Sequence, residues 1–214
     1  VGGLEKKNKI ITPEEKRSIA FHEAGHASVS WLLEHANPLV KVTIVPRGNS
    51  LGAAWYLPGE RSITTTEQIL DEMCTSLGGR AAELLTFGKI STGALSDLEK
   101  VTKQAYAMVS IYGLNDKVGN LSFYDPNGNQ FTKPYSDVTA RVIDEEASKM
   151  IEAQYQRAIK VLTEHKDQLN QLAEKLLEKE VIFKEDLVAI FGVRPWDKDD
   201  EDSEPVYAEE STNE

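Results

Sequence analysis

The sequence contains few of the features that mark secreted, fibrous or membrane-spanning proteins. It has one cysteine, Cys74, so it can form no intramolecular disulfide, which fits a reducing compartment. No apolar run approaches the roughly 18 residues that a membrane helix needs. Glycine and proline are not abundant, at 14 and 8 of 214 residues, which excludes a collagen-like repeat. These absences leave a globular chain that is long enough for a proper core.

Positive charge is also scarce, because the formal net charge is −11. Residues 197–214 hold nine acids and one lysine, a net charge of −8, which leaves −3 for residues 1–196. A body so close to neutral lacks the basic surface that binds nucleic acid, so we expect no nucleic-acid partner. The acidic segment has too few apolar residues to fold, and we predict that it is a disordered tail.

Hydrophobic periodicity predicts a first helix and then a small β-hairpin. The helix begins at Thr12, where Thr12 and Glu15 form a capping box, and it is predicted to end near His35. Residues 39–46 alternate in polarity and predict a strand, whose partner across a turn is 52–57. The residues predicted on one face of the first strand are Val40, Val42 and Ile44.

The rest of the chain is predicted to be helical. Residues 65–87 form one helix or two, because the pair Gly78-Gly79 permits either close packing or a break. A second capping box, from Ser96 to Glu99, is predicted to start a helix that ends before Gly113. The remaining predicted elements are a loop at 114–135 and helices at 136–164, 166–179 and 184–191. The predicted fold class is therefore mainly α with a small β-hairpin.

The segment His22-Glu23-Ala24-Gly25-His26 carries the clearest chemical signal. Residues four apart on a helix share one face, so both imidazoles can reach a single zinc ion. Glu23 lies beside that face, where its carboxylate can accept the proton of a metal-activated water. The pattern therefore predicts a catalytic zinc site on the first helix.

A catalytic zinc needs a third protein ligand, and the spacing leaves that ligand open. The extended pattern HExxHxxGxxH is excluded, because Val29 and Leu32 stand where it needs glycine and histidine. The two other histidines, His35 and His165, are predicted to be solvated. A carboxylate from another element is expected instead, and Asp97 and Glu83 are equally good candidates by spacing.

These residues belong to segments that resemble a known family. The chain is similar to the peptidase domain of FtsH-type ATP-dependent zinc proteases (peptidase family M41), which include mitochondrial AAA proteases. The resemblance runs from about Gly3 to Trp196. The matching segments are GLEKKNKIITPEEK (3–16), FHEAGH (21–26), LGGRAAE (77–83), STGALSDL (91–98) and TARVIDEE (139–146).

The resemblance implies a role for each candidate residue. It implies that His22, His26 and Asp97 bind Zn²⁺ and that Glu23 is the catalytic base, leaving Glu83 as a packing residue or a support for a ligand. The implied activity is that of a zinc endopeptidase, which hydrolyses peptide bonds of misfolded or regulatory proteins through a zinc-activated water.

The resemblance also implies an organisation beyond this stretch. It predicts a connector from an ATPase module at 1–11, a zinc peptidase domain at 12–196 and the acidic tail at 197–214. The sequence has no GxxxxGKS or GxxxxGKT segment, so ATP would be used only by the ATPase module. Family members are membrane-anchored hexamers, so we expect a homo-hexamer with unfolded or membrane-protein substrates. A bacterial inner membrane with this domain in the cytoplasm is the first expectation, and the mitochondrial inner membrane is the second.

Two other functions remain open at this point. The chain could be a stand-alone zinc peptidase, although the absence of an initiator methionine and a connector-like start argue against it. It could also be a catalytically inactive module that only builds a hexamer, although an intact HEAGH segment argues against that. The exposed edge of the strand at 52–57 is a candidate for holding an extended substrate by backbone pairing.

Overall fold

The computed structural model describes residues 12–46, 51–56, 63–124 and 134–196. The predicted connector at 1–11 and the predicted tail at 197–214 lie outside these residues. The described elements, in chain order, are α1 (Pro13–Leu32), β1 (Leu39–Thr43), β2 (Ala53–Tyr56), α2 (Thr66–Phe87), α3 (Leu95–Ser110), α4 (Asp137–Glu164), α5 (Lys166–Lys179), β3 (Val181–Phe183) and α6 (Lys184–Phe191). The predicted fold class, mainly α with a small sheet, is confirmed.

Helix α1 runs through the centre of the domain. Its predicted capping box is present, since the Thr12 hydroxyl accepts from the Glu15 amide and the Glu15 carboxylate accepts from the Thr12 amide. Every residue from Ile19 to Trp31 is buried, so this helix is covered on all faces. The helix ends at Leu32, three residues before the predicted end near His35, because the chain turns there into the approach to β1.

Helices α1 and α2 cross in direct backbone contact. A methyl group on Gly25 would lie 2.3 Å from the carbonyl oxygen of Gly78, and one on Gly78 would lie 2.7 Å from the carbonyl oxygen of Gly25. Of the two alternatives for Gly78-Gly79, close packing is therefore the one observed, and α2 is a single helix from Thr66 to Phe87. The absence of a side chain at both positions is what allows the crossing.

The sheet contains the predicted hairpin and one strand more. The strand order is β2-β1-β3, and both pairings are antiparallel. Strand β3 was not predicted, because three residues are too few to show an alternating pattern. The prediction that Val40 shares a face with Val42 and Ile44 is wrong: the pairing of β1 with β2 shifts between Leu39 and Lys41, and Val40 is exposed while Val42 and Ile44 are buried.

Helix α3 begins differently from the prediction. A 3-10 turn, Thr92–Ala94, leads directly into Leu95, and the hydroxyl that caps this turn belongs to Ser91, which accepts from the Gly93 amide. The predicted capping box from Ser96 is wrong, because Ser96 already lies inside the helix. The start of α3 therefore lies at the end of a tight turn.

The core has two parts, both of which contact α2. One surrounds α1, the sheet, α5 and α6, and the other lies between α2, α3 and α4. The segment that follows α1 is held by a residue distant in sequence: Nη2 of Arg194 donates to the carbonyl oxygens of Leu33 and Ala36 at 2.7 and 2.6 Å. The indole of Trp31 donates to the carbonyl oxygen of Gly192 at 3.2 Å.

Candidate metal centre

The central helix α1 presents His22 and His26 to one point in space. The two rings stand edge to face, with centroids 4.7 Å apart, and each residue is less than a tenth exposed. Their spacing of four residues places them one turn apart on the same side of the helix. Buried imidazoles in such an arrangement can offer two nitrogen ligands to one ion.

Asp97, which lies in the first turn of α3, is the third possible metal donor beside His22 and His26. Its Oδ2 lies 3.4 Å from Nε2 of His22 and 3.6 Å from Nε2 of His26. The donor atoms of the three residues all lie within 4.8 Å of one another, and no other group of this kind occurs in the described ranges. Tetrahedral zinc with bonds of about 2.0–2.1 Å separates its ligand atoms by roughly 3.3 Å, so these donors fit zinc in type and in spacing.

The other ring nitrogens of the two histidines have partners that fix their orientation. Nδ1 of His22 lies 2.7 Å from Oε1 of Glu83, and Nδ1 of His26 lies 2.8 Å from the carbonyl oxygen of Thr75. A carbonyl only accepts, so Nδ1 of His26 must donate, and a neutral His26 then has its lone pair on Nε2, toward Asp97. Such outer contacts hold a histidine in the state that binds metal.

Glu83 is itself held by the turn before α3. The Ser91 amide donates to Oε2 at 2.7 Å and the Ser91 hydroxyl donates to Oε1 at 3.0 Å. Hydrogen bonds from His22 and Ser91 keep the pKa of Glu83 below its usual range, although burial opposes this. Glu83 therefore joins a histidine of α1 to the loop that carries Asp97.

The acidic and basic side chains of the site change one another's pKa values. Burial disfavours a charged His22, but hydrogen bonds to Asp97 and Glu83 and the nearby charge of Glu23 raise its pKa to about 10. Burial would also raise the pKa of Asp97, but His22 and His26, when their Nε2 atoms carry protons, lower it well below its ordinary value. A divalent cation between these groups would take the place of the histidine protons.

Glu23 lies beside the histidines but outside the group of three donors. It is 8% exposed, and its pKa is raised by burial, although the charges of His26 and His22 oppose this rise. It faces a cleft of about 840 Å³ that contains the three donors and is bordered by Gly52 and strand β2. A buried carboxylate with a raised pKa in a cleft is suited to accept and return a proton.

The two carboxylates that spacing left equal lie on different sides of His22. Asp97 belongs to the donor group, whereas Glu83 contacts the far side of His22. His35 and His165 are half-buried and lie outside the group; the His35 amide donates to Asp71, and His165 joins α4 to α5. The contact of His26 with the Thr75 carbonyl was not predicted, because a backbone acceptor has no residue-type signal.

Comparison with known proteins identifies the family of the chain. The family model described as Peptidase family M41 matches residues 9–190. An ATP-dependent zinc metalloprotease FtsH of Parabacteroides distasonis is 64% identical over 198 residues, which cover 92% of this chain and 29% of that protein. The chain belongs to peptidase family M41, as the resemblance of its motifs predicted.

Relatives also occur in mitochondria. The ATP-dependent zinc metalloprotease FTSH 3, mitochondrial, of Arabidopsis thaliana is 54% identical, with 92% of this chain and 24% of that protein covered. The mitochondrial inner membrane m-AAA protease component AFG3L2 of Mus musculus is 51% identical, with 92% and 25% covered. The chain thus spans less than a third of the length of these relatives. Within the described ranges, no helix has both the length and the apolar character of a membrane span.

Proposed function

We propose that this chain is the zinc-dependent endopeptidase domain of an ATP-dependent protease. His22, His26 and Asp97 would hold Zn²⁺, and Glu23 would act as the general base. The observation that carries the proposal is the convergence of three zinc-type donors beside a buried glutamate in one cleft. The zinc metalloproteases among the relatives support it.

The chemistry follows from the side chains around the donors. When bound, zinc supplies Lewis acidity toward a peptide carbonyl and toward a water molecule. Glu23 would accept the proton of the attacking water, which its raised pKa favours, and would then pass that proton to the more basic leaving amine. Glu83 and the Thr75 carbonyl contact the Nδ1 atoms, which leaves the Nε2 atoms of both imidazoles to hold the ion.

A polypeptide substrate would lie along β2. This strand pairs only with β1 in the described sheet, and Ala53, Ala54 and Tyr56 border the cleft that holds the donors. An extended chain can pair with such an edge through its backbone, which tolerates many side chains. That property suits a protease whose substrates are unfolded or membrane-derived polypeptides.

For the longer protein we propose the organisation that the family resemblance implies. Residues 1–11 would connect an ATPase module to the peptidase domain at 12–196, and 197–214 would form an acidic tail. The assembly would be a homo-hexamer anchored in a membrane, bacterial in the first instance or mitochondrial as the alternative. ATP would drive the delivery of unfolded chains to a ring of these sites. The names of the relatives support this proposal.

The proposed function is tested by zinc content and hydrolysis of a fluorogenic peptide. Glu23→Gln should keep one zinc per chain and lose hydrolysis, because the amide cannot accept the proton. Glu14→Gln, an exposed position on the same helix, is the matched control and should keep both. Full hydrolysis by Glu23→Gln would exclude Glu23 as the base. Absence of zinc from the wild-type protein, even after zinc is supplied, would favour an inactive assembly module.

A further inference from the structure

The residue that precedes β2 lies directly against the proposed base. A methyl group built on Gly52 would lie 2.6 Å from Oε1 of Glu23, 2.7 Å from its Cγ and 2.8 Å from its Cδ. Three consecutive parts of one side chain therefore occupy the space that any other residue at 52 would need. Gly52 is buried, and its backbone borders the cleft.

A second glycine has the same relation to a different side chain of the site. A methyl group on Gly79 would lie 2.5 Å from Nε2 of His22 and 2.7 Å from Cδ2 and Cε1 of the same ring. The two glycines therefore contact different parts of the machinery: Gly79 adjoins a proposed metal ligand, and Gly52 adjoins the carboxylate that is not in the donor group.

Gly52 also lies where the proposed base meets the proposed substrate-binding strand. Glu23 belongs to α1, whereas the edge that would pair with substrate belongs to β2, which begins one residue after Gly52. Because Gly52 has no side chain, the start of this strand touches the carboxylate itself.

We propose that Gly52 is a positioning residue for the general base: it holds the Glu23 carboxylate against the start of β2, so that a peptide bound along this strand meets the base at a fixed distance. This inference rests on the proposed function of Glu23. It predicts a change in turnover rather than in metal binding, because the three atoms nearest to a methyl group on Gly52 all belong to Glu23.

The first test is Gly52→Ala in the zinc-loaded chain, beside Gly79→Ala. Gly52→Ala should keep one zinc per chain, lower kcat by about 100-fold and change KM little, since a displacement of about 1 Å of a reacting group has an effect of this size. Gly79→Ala should lose zinc, because the added methyl displaces the His22 ring. Glu14→Ala, at the exposed start of α1 and outside the cleft, is the control and should keep zinc, kcat and KM.

The second test is a double-mutant cycle on the melting temperature, which needs no activity. Gly52→Ala should lower the melting temperature in the presence of Glu23 and leave it unchanged in a Glu23→Ala background, where the carboxylate is absent. Gly79→Ala should lower it equally in both backgrounds. An equal loss for Gly52→Ala in both backgrounds, an unchanged kcat, or loss of zinc from Gly52→Ala would each overturn the proposal. If the wild-type chain binds no zinc or cleaves no peptide, the proposed function fails, while the cycle still tests the contact.

Discussion

The two sides of the cleft hold their functional groups in different ways. On one side, His22 and His26 lie in the part of α1 that is buried on all faces and that crosses α2 through backbone contact at Gly25 and Gly78. On the other side, Asp97 lies in the first turn of α3, where its side chain is 25% exposed and its neighbour Leu95 is 72% exposed. The histidines are positioned by the core, and the aspartate by a turn at the surface.

Because of this difference, we expect some substitutions to change the stability of the domain and others to change mainly its zinc affinity. A change at the helix crossing disturbs the packing of the domain and the histidines together, since densely packed interiors have no space for an added atom. A change at Asp97 would remove a proposed zinc ligand from a segment with few buried neighbours. The predictions below test this separation, from the largest expected effect to the smallest.

Gly25→Ala should have the largest effect. The added methyl would lie 2.3 Å from a backbone oxygen of α2, which cannot move without separating the two helices. We expect a loss of about 3 kcal/mol in unfolding free energy and a melting temperature lower by roughly 6–12 °C, with loss of zinc. Glu14→Ala, on the exposed start of the same helix, is the control and should melt close to the wild type. An unchanged melting temperature for Gly25→Ala would contradict the close crossing.

Asp97→Ala should lower zinc affinity and leave the fold intact. Loss of an outer partner of a ligand usually lowers metal affinity 10–100-fold, so loss of a ligand itself should lower it by more than about 100-fold. Titration with a zinc chelator measures the affinity, and far-ultraviolet circular dichroism measures the fold. Zinc affinity equal to that of the wild type would show that Asp97 is not the third ligand.

The metal-free domain should lose stability as the pH rises from about 6.5 to about 10. The pKa of His22 is raised from 6.5 to about 10 in the folded chain by Asp97, Glu83 and Glu23, so its stabilising contribution is complete below pH 6.5 and disappears near pH 10. Glu83→Gln removes one of these partners and should make the loss smaller. Urea unfolding in a chelator across this pH range measures both curves, and parallel curves would contradict the assignment.

Ser91→Ala should have the smallest effect. It removes the hydroxyl that donates to Oε1 of Glu83 at 3.0 Å, but the Ser91 amide still donates to Oε2 at 2.7 Å. Because Ser91 supports a residue that itself only supports His22, we expect a decrease in zinc affinity below about tenfold. The same chelator titration measures it. A decrease as large as that of Asp97→Ala would show that the turn, rather than the ligand, controls the site.

The sequence predicted those parts of the site that depend on local spacing. Two histidines four residues apart on a helix share a face wherever that helix lies, so His22 and His26 could be paired in advance. The choice between Asp97 and Glu83 could not be made from spacing, because it depends on how α2 and α3 pack against α1. The resemblance to a family supplied that choice, and Asp97 lies in the group of three residues that could hold a metal ion.

For the fold as well, features set by local spacing could be predicted and features set by packing could not. The capping box at Thr12 involves residues three apart and was predicted correctly. The capping box at Ser96 was predicted by the same rule and is wrong, because the tight turn capped by Ser91 starts the helix earlier. Whether Gly78-Gly79 breaks a helix or allows contact depends on the partner across the crossing, which no local pattern contains.

The contacts of Arg194 have a consequence for folding during synthesis. The carbonyl oxygens of Leu33 and Ala36, just beyond the helix that carries both histidines, receive this guanidinium from a residue about 160 positions later in the chain. At a translation rate of about 5–20 residues per second, that residue is made roughly 8–30 seconds after the helix. The helix that carries the two histidines is thus among the first parts of the domain to leave the ribosome, and its last contacts are among the last to form.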